Sequence, residues 1–348
     1  MSRVSKRDHI LVGLDIGTTK ICAIVAEVPE EGPLNIIGVG SCPSRGLRKG
    51  VVVNIESTVE SIKKAVEEAE LMAAVQINSV YTGIAGSHIS GENLKGVVAL
   101  KKQEVTRDDI SRAVESARTL AVIPHERRIL HVLPREFMVD DQEGVREPLG
   151  MSGNRLEVNV HVITGAVTSA QNIIKSVNRA GLDVVDIILQ PLASSEAVLS
   201  AEERELGVAM VDLGGGTTDL AIFLDGSIRH TAVLPIGGQN LTKDLAIGLL
   251  TSQTDAEKIK VQHGIARTEL VHGHQMVEVP SVGDRPPRQF TRRDIAEILE
   301  PRVEEMFDLV KREIVRAGYE GMLGAGVVIT GGTSSLEGMP DAAARGLN

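Results

Sequence analysis

The chain has 348 residues, with 42% hydrophobic residues, 24% charged residues and a formal net charge of −10. That length exceeds one small core, so a lobed pair or two domains is expected. The acidic balance, with no local basic patch, argues against nucleic-acid binding. With aromatic residues at 2% and no Trp, the core must be built from Val, Ile, Leu and Ala, as in sheets covered by helices.

In chain order, strands are expected at 10–14, 21–28, 34–41 and 51–53. Ser57-Thr58-Val59-Glu60 reads as a capping box opening a helix to about residue 74, with Val59, Ile62, Val66 and Ala69 on one face. A strand at 79–84 follows. Residues 86–162 are richer in glycine, proline and charge and read as a small inserted α+β subdomain. Thr106-Arg107-Asp108-Asp109 caps a helix there to about residue 122, and strands fall at 129–133, 136–139 and 156–164. A helix at 169–179 closes at Gly181; a strand at 184–189 and a helix at 191–200 come next. A three-strand run spans 207–233, residues 241–266 are helical, and 273–288 is a loop or hairpin. Thr291-Arg292-Arg293-Asp294 caps a helix that Pro301 ends, a second helix running from there to about residue 317. A last strand at 326–329 ends in Thr330-Gly331-Gly332-Thr333. The expected division is 1–85, first lobe; 86–163, insertion; 164–239, second-lobe core; 240–318, second-lobe small subdomain; and 319–348, a return to the first lobe.

Cys22 and Cys42 lie in or beside apolar segments without a CxxC or Cys/His cluster, and read as small buried hydrophobes in a reducing cytosol. The basic N-terminus is followed by an apolar run too short for a signal peptide, and no apolar stretch approaches a membrane span. A cytoplasmic protein is expected.

Two segments carry the chemistry. Asp15-Ile16-Gly17-Thr18-Thr19-Lys20 and Asp212-Leu213-Gly214-Gly215-Gly216-Thr217-Thr218-Asp219 are each flanked by apolar, β-branched runs. Each predicts strand, tight glycine turn, strand, with backbone N–H groups and hydroxyls offered at the tip. Glycine and threonine suit an oxyanion because they supply donors at low steric cost. Two such turns, 197 positions apart, predict two similar halves gripping one nucleotide's phosphates. Gly17, Thr18, Thr19 and Lys20 would face one part of the triphosphate, and Gly214, Gly215, Gly216, Thr217 and Thr218 the other. Asp15 and Asp212 would repel phosphate directly and make sense if Mg²⁺ and its waters lie between. Glu257 and Lys260 share a helix face from which ribose and adenine are reachable; a solvated ion pair is the plain alternative. Gly331 and Gly332 would let a flat base lie against backbone.

Together these residues resemble the actin-like ATPase superfamily, which implies an α/β fold of two lobes with mixed sheets flanked by helices, and ATP–Mg²⁺ in the cleft. The resemblance makes Gln190, just before Pro191, the residue that orients the attacking water, and it extends the nucleotide contacts to Gly237 and Gly238. Further blocks sharpen it: Gly13 to Ile21, Gly46-Leu47-Arg48-Lys49-Gly50-Val51-Val52, Pro148 to Val158, Gln190-Pro191-Leu192-Ala193-Ser194-Ser195 and Gly237-Gly238-Gln239-Asn240-Leu241-Thr242-Lys243-Asp244. Over nearly the whole chain the sequence is similar to the FtsA family of bacterial cell-division proteins. That resemblance implies ATP-dependent head-to-tail filaments, weak ATPase turnover at most, tethering of the FtsZ ring to the cytoplasmic face of the inner membrane, and recruitment of later division proteins. It places the FtsZ C-terminal tail on the subdomain spanning roughly 240–305, at Arg288, Arg302 and Glu305. The family continues into more of the first lobe, a linker and a C-terminal amphipathic helix that lies on the membrane. This chain ends at Asn348, so the expectation is that these residues alone do not bind vesicles. A pilus-assembly actin-like adaptor is the nearer alternative, a small-molecule kinase of the same fold the more distant one. An Hsp70-class chaperone is disfavoured because no peptide-binding β-domain follows.

Overall fold

Alternating burial sets the first meander. Along Ile10–Ile16, Val12, Leu14 and Ile16 are buried while Leu11, Gly13 and Asp15 face the other way. The computed structural model describes residues 10–283 and 285–347; the basic N-terminal residues, Asp284 within the 273–288 segment and Asn348 lie outside the described residues. Strands β1 (Ile10–Ile16), β2 (Lys20–Glu27) and β3 (Asn35–Pro43) form the meander. The short pair β4 (Leu47–Arg48) and β5 (Val51–Val52), helix α1 (Ile55–Ala73) and β6 (Ser79–Ile84) follow. The chain then builds a separate layer from β7 (Ser90–Ala99), α2 (Arg107–Leu120), β8 (Arg127–Val139), β9 (Gln142–Val145) and β10 (Arg155–Ala166). It returns through α3 (Val167–Arg179) to β11 (Asp183–Leu189), and α4 (Gln190–Val198) and α5 (Ala201–Leu206) lead to the second half.

There, β12 (Val208–Leu213), β13 (Thr218–Leu224) and β14 (Ser227–Leu234) repeat the meander. Helices α6 (Gly238–Gly248) and α7 (Gln253–His263), the hairpin β15 (Met276–Val279) and β16 (Arg288–Thr291), helix α8 (Arg292–Arg316), β17 (Gly326–Thr330) and α9 (Met339–Leu347) complete the described chain.

The two main sheets share a local topology. The first has strand order β11-β6-β1-β2-β3 and the second β14-β13-β12-β17. In each, the strand entering the glycine turn pairs antiparallel with the strand leaving it and parallel with a later strand: β1 with β2 and β6, β12 with β13 and β17. The inserted layer is a four-stranded sheet of order β7-β10-β8-β9, with its own core of Leu156, Val158, Val160, Phe137, Ala113 and Ala117. The first lobe packs α1 and α3 on its sheet through Ile21, Ile62, Ala65 and Val177. The second lobe packs α6 and α8 through Leu241, Leu245, Leu299, Met306 and Phe307.

Several boundaries differ from the sequence reading. Helix α1 begins before Ser57, because Asn54 is the cap: its Oδ1 accepts the Ser57 N–H at 3.0 Å. The helical stretch expected at 241–266 is two helices; Ser252 caps α7 by accepting the Asp255 N–H at 3.1 Å. The strands expected at 129–133 and 136–139 are one strand, β8, with a bulge opposite Asn159 and Val160 that absorbs the missing N–H of Pro134. Pro301 neither ends nor starts a helix. It lies inside the 25-residue α8, where Glu297 and Pro301 are both exposed, so water is at hand for the carbonyl that loses its donor. The short helix α5, with a Ser200–Glu203 capping box, was not anticipated. Cys22 and Cys42 are partly exposed, on β2 and β3, rather than core residues.

Candidate functional site

The two glycine turns close in the same way. The Gly17 N–H donates to the Lys20 carbonyl at 3.0 Å, and the Gly214 N–H to the Thr217 carbonyl at 3.0 Å. Because each turn begins two residues after its aspartate, Asp15 and Asp212 stand at equivalent register positions, opposite Cys22 and Asp219. The tips face each other across a cleft of about 920 Å³. A Cβ on Gly215 would lie 2.4 Å from the Thr19 side chain, and one on Gly216 2.6 Å from Thr18 Oγ1, so glycine is what lets the hairpins approach this closely. Thr18 Oγ1 also accepts the Gly50 N–H at 3.0 Å, which ties the 46–50 segment to the first turn.

Helix α4 spans the two aspartates. Gln190 Nε2 donates to Asp15 Oδ1 at 2.6 Å, and one helical turn later Ser194 Oγ donates to Asp212 Oδ2 at 2.7 Å. The third carboxylate, Asp219, is buried; its Oδ2 accepts from Thr217 Oγ1 at 3.2 Å while its Oδ1 has no partner. Burial, reinforced by Asp212, pushes Asp15 up to about 6. Burial, again with Asp212 beside it, pushes Asp219 up to about 8. Burial also raises Asp212. Carboxylates this poorly compensated, with Lys20 the cation at the turn, present the donor chemistry a divalent cation requires. Among the described residues no three His, Cys, Asp or Glu side chains converge to hold a metal directly. Asp15 and Asp212, one from each turn, are carboxylates that line the cleft beside the glycine tips.

The other end of the cleft is built by α6, α7 and the turn after β17. Lys260 Nζ donates to Glu257 Oε2 at 2.8 Å, Thr242 Oγ1 at 2.9 Å and the Gly238 carbonyl at 3.1 Å. Thr333 Oγ1 donates to the Gly214 carbonyl at 2.9 Å, linking this end to the second hairpin. Gly331 has φ +87°, and a Cβ there would lie 2.3 Å from Asp212 Oδ1; any side chain would both strain the backbone and displace the carboxylate. Gly331, Gly332, Glu257 and Lys260 line the cleft, as do Val261, Arg292 and Leu336.

Most residues singled out from the sequence converge on this cleft: Asp15, Gly17, Thr18, Thr19, Lys20, Gln190, Asp212, Gly214, Gly215, Gly216, Thr217 and Gly238 all line it. Thr218 stands behind the lining, fully buried, its hydroxyl donating to the Ile236 carbonyl at 2.9 Å. Gly237 supports the second turn from behind, where a Cβ would lie 2.7 Å from the Gly214 carbonyl oxygen. Sequence reasoning missed Asp219, Ser194 and Arg292 as cleft residues. The first was the acid closing the second glycine motif, and the second lies one helical turn after Gln190.

Arg288, Arg302 and Glu305 lie away from the cleft, beside α6. Arg302 holds Asp244 with Nε–Oδ2 at 2.7 Å and Nη2–Oδ1 at 3.2 Å, and also pairs with Glu305. Arg288 donates to the Leu249 carbonyl, and its guanidinium lies over the Phe290 ring at 5.4 Å.

Comparison with known proteins adds an independent line. Residues 86–164 match the model of the SHS2 domain inserted in FTSA, and residues 209–348 that of cell division protein FtsA. The chain is 54% identical to cell division protein FtsA of Pseudomonas aeruginosa over 94% of its own length and 79% of the relative. It is 47% identical to that of Escherichia coli over 97% and 81%. Among solved structures it is similar to the PilM–PilN type IV pilus biogenesis complex, with TM-score 0.68 and 18% identity over 97% of this chain and 85% of that one. It is also similar to MreB5 of Spiroplasma citri bound to ADP, with TM-score 0.56 and 14% identity over 95% and 87%. At such identities the structural likeness establishes the fold: an actin-like, two-lobed α/β architecture with an inserted α+β unit.

Proposed function

Because the chain belongs to the family of cell division protein FtsA, we propose that it binds ATP in the cleft and uses it to assemble head to tail. In this reading it also holds the FtsZ ring at the cytoplasmic face of the inner membrane and recruits later division proteins. The observation that carries the nucleotide part is the bridge of α4 between the hairpins, Gln190 to Asp15 and Ser194 to Asp212. One helix thereby holds both aspartates, one from each half, at the mouth of the two glycine turns. The turns supply N–H groups and hydroxyls for phosphate oxygens, and Lys260 and Glu257 with Gly331 and Gly332 take the nucleoside. A Mg²⁺ ion bound with the nucleotide would neutralise phosphate charge, with Asp15 and Asp212 holding its waters. In this reading Gln190, whose amide is held on Asp15, orients the attacking water, positioning being the protein's main task in phosphoryl transfer. ATP acts chiefly as a structural switch, turnover being slow.

For the FtsZ tail, Arg302 and Arg288 offer guanidinium groups to a carboxylate-bearing peptide, and the peptide has to compete with Asp244 and Glu305 for Arg302. Calorimetry with ATP and Mg²⁺ on wild type and Asp15→Asn tests the nucleotide site. Binding lost in a folded Asp15→Asn variant is expected, and equal affinity in the two would overturn the site. Arg302→Glu is expected to weaken binding of an FtsZ C-terminal peptide without changing ATP affinity.

A further inference from the structure

We propose that His131, on β8 of the inserted unit, is a positioning residue for Gln190, so that the docking of this unit is felt at the glutamine that faces the nucleotide. The proposal rests on the reading that the cleft holds ATP and that Gln190 orients the attacking water.

Three observations converge on it. Strand β11 is the edge strand of the first-lobe sheet, and edge N–H groups need an acceptor from outside the sheet. The last residue of β11, Leu189, is fully buried, and its N–H donates to His131 Nε2 at 3.0 Å. Leu189 is also the N-cap of α4, which has no side-chain cap of its own. The inserted unit therefore holds the backbone at the residue where strand becomes helix.

The next residue is Gln190. Its side chain lies over Gly83 of β6, where a Cβ would stand 2.8 Å from Gln190 Cγ, and its amide reaches Asp15. The strand floor, the Asp15 carboxylate and the His131-held backbone together leave the Gln190 amide little freedom. Burial lowers the His131 imidazole from its ordinary value, which keeps the ring neutral near pH 7 and Nε2 free to accept.

The same unit also grips the other lobe. Asn93 Nδ2 donates to the Arg229 carbonyl at 3.1 Å, His161 Nε2 meets Thr231 Oγ1 at 2.9 Å, and Ser227 Oγ donates to the Arg135 carbonyl at 2.9 Å. Moving the second lobe thus loads the strand that carries His131. A shift of the inserted unit then moves Gln190 without touching the phosphate loops.

The test is single-turnover ATP hydrolysis, with protein in excess, on the full-length chain. His131→Phe keeps a ring and removes the acceptor; His131→Gln keeps an acceptor at the Nε2 position. His131→Phe is expected to slow hydrolysis on the order of tenfold, the scale of a sub-ångström misplacement of a reacting group, with ATP affinity unchanged. His131→Gln is expected to recover most of the rate, and in a Gln190→Ala background His131→Phe should have no further effect. An unchanged rate in His131→Phe, an equal loss in the Gln190→Ala background, or His131→Gln no better than His131→Phe would each overturn the proposal. If His131→Phe does not fold, the imidazole ¹⁵N signals of His131 in the wild-type chain should shift on adding ATP with Mg²⁺, and unmoved signals would overturn it. A wild-type chain that binds ATP without measurable turnover overturns the water-orienting role and this inference with it. A wild-type chain that does not bind ATP removes the proposed function itself.

Discussion

Histidine 161 shows how much one buried side chain contributes at the junction of the inserted unit and the second lobe. It is 1% exposed, with Nδ1 against Asn93 Oδ1 at 2.7 Å and Nε2 against Thr231 Oγ1 at 2.9 Å. Burial, reinforced by His230 and Arg135, pushes its imidazole down to about 3 from the ordinary 6.5. The folded state therefore resists protonation while the unfolded chain accepts the proton near the ordinary value. Its stabilising effect is complete above that ordinary value and is lost as pH falls from there through the depressed one, at roughly 1.4 kcal/mol per pH unit. Because the raised Asp15 and Asp219 carboxyls act in the opposite sense over the same range, the comparison is differential: between about pH 7.5 and about pH 5.5 in urea unfolding, wild type should lose stability relative to His161→Gln; parallel behaviour would refute it. The cleft residues divide by how local their signal is. Asp15 and Asp212 were legible because glycine, threonine and an acid within one turn define their chemistry without reference to the rest of the fold. Asp219 carried a local signal of the same kind, as the acid that closes the second motif and pairs with Asp212 across its hairpin, whereas Ser194 and Arg292 had none, because each reaches the cleft only through the packing of its helix against distant elements.

Helix α8 makes the corresponding case at the scale of an element. The sequence signal for its start was sound: Thr291 accepts the Asp294 N–H at 3.1 Å and Asp294 Oδ2 accepts the Thr291 N–H at 2.7 Å. Its length was misread because proline is locally the strongest helix breaker, whereas the buried stripe of Ile295, Leu299, Val303, Met306, Phe307 and Val310 holds both halves on one axis. Packing overrides propensity here, at the cost of one backbone hydrogen bond on an exposed face. Pro301→Ala restores that bond, and the opposing gain in unfolded-chain entropy is only about 0.4–1 kcal/mol. The variant is expected to be more stable by about 1–3 kcal/mol, read as a raised unfolding midpoint; an unchanged or lowered midpoint would mean that the packed helix depends on the local geometry proline imposes. The same logic explains α6 and α7. Their shared apolar character read as one helix, but Thr251 Oγ1 donates to the Pro280 carbonyl at 2.6 Å, a long-range contact that helps fix the break and that no local pattern announces.

The molecule as a whole is organised around two similar sheets whose glycine turns meet tip to tip, so neither lobe alone forms the cleft. A ligand bound there must touch both β1–β2 and β12–β13, and mass action then stabilises both lobes together, by about 2.7 kcal/mol at a ligand concentration 100 times its Kd. The duplicated topology was legible from the paired motifs, since the strand–turn–strand pattern repeats in sequence. How the inserted unit would span the lobes was not, because its contacts with β11 and β14 join residues far apart in the chain. Hydrogen exchange provides the discriminating measurement. On adding ATP with Mg²⁺, protection should rise in residues 10–27 and in residues 208–224 to similar extents, and Asp15→Asn should abolish the rise in both segments. Withdrawing Mg²⁺ should have nearly the same effect, because Asp15, Asp212 and Asp219 then face the phosphates with Lys20 as the cation at the turn. Protection confined to one segment would mean that the nucleotide sits on a single hairpin, and that the close approach of Gly215 and Gly216 to Thr19 and Thr18 serves to fasten the lobes together instead of to clasp a ligand.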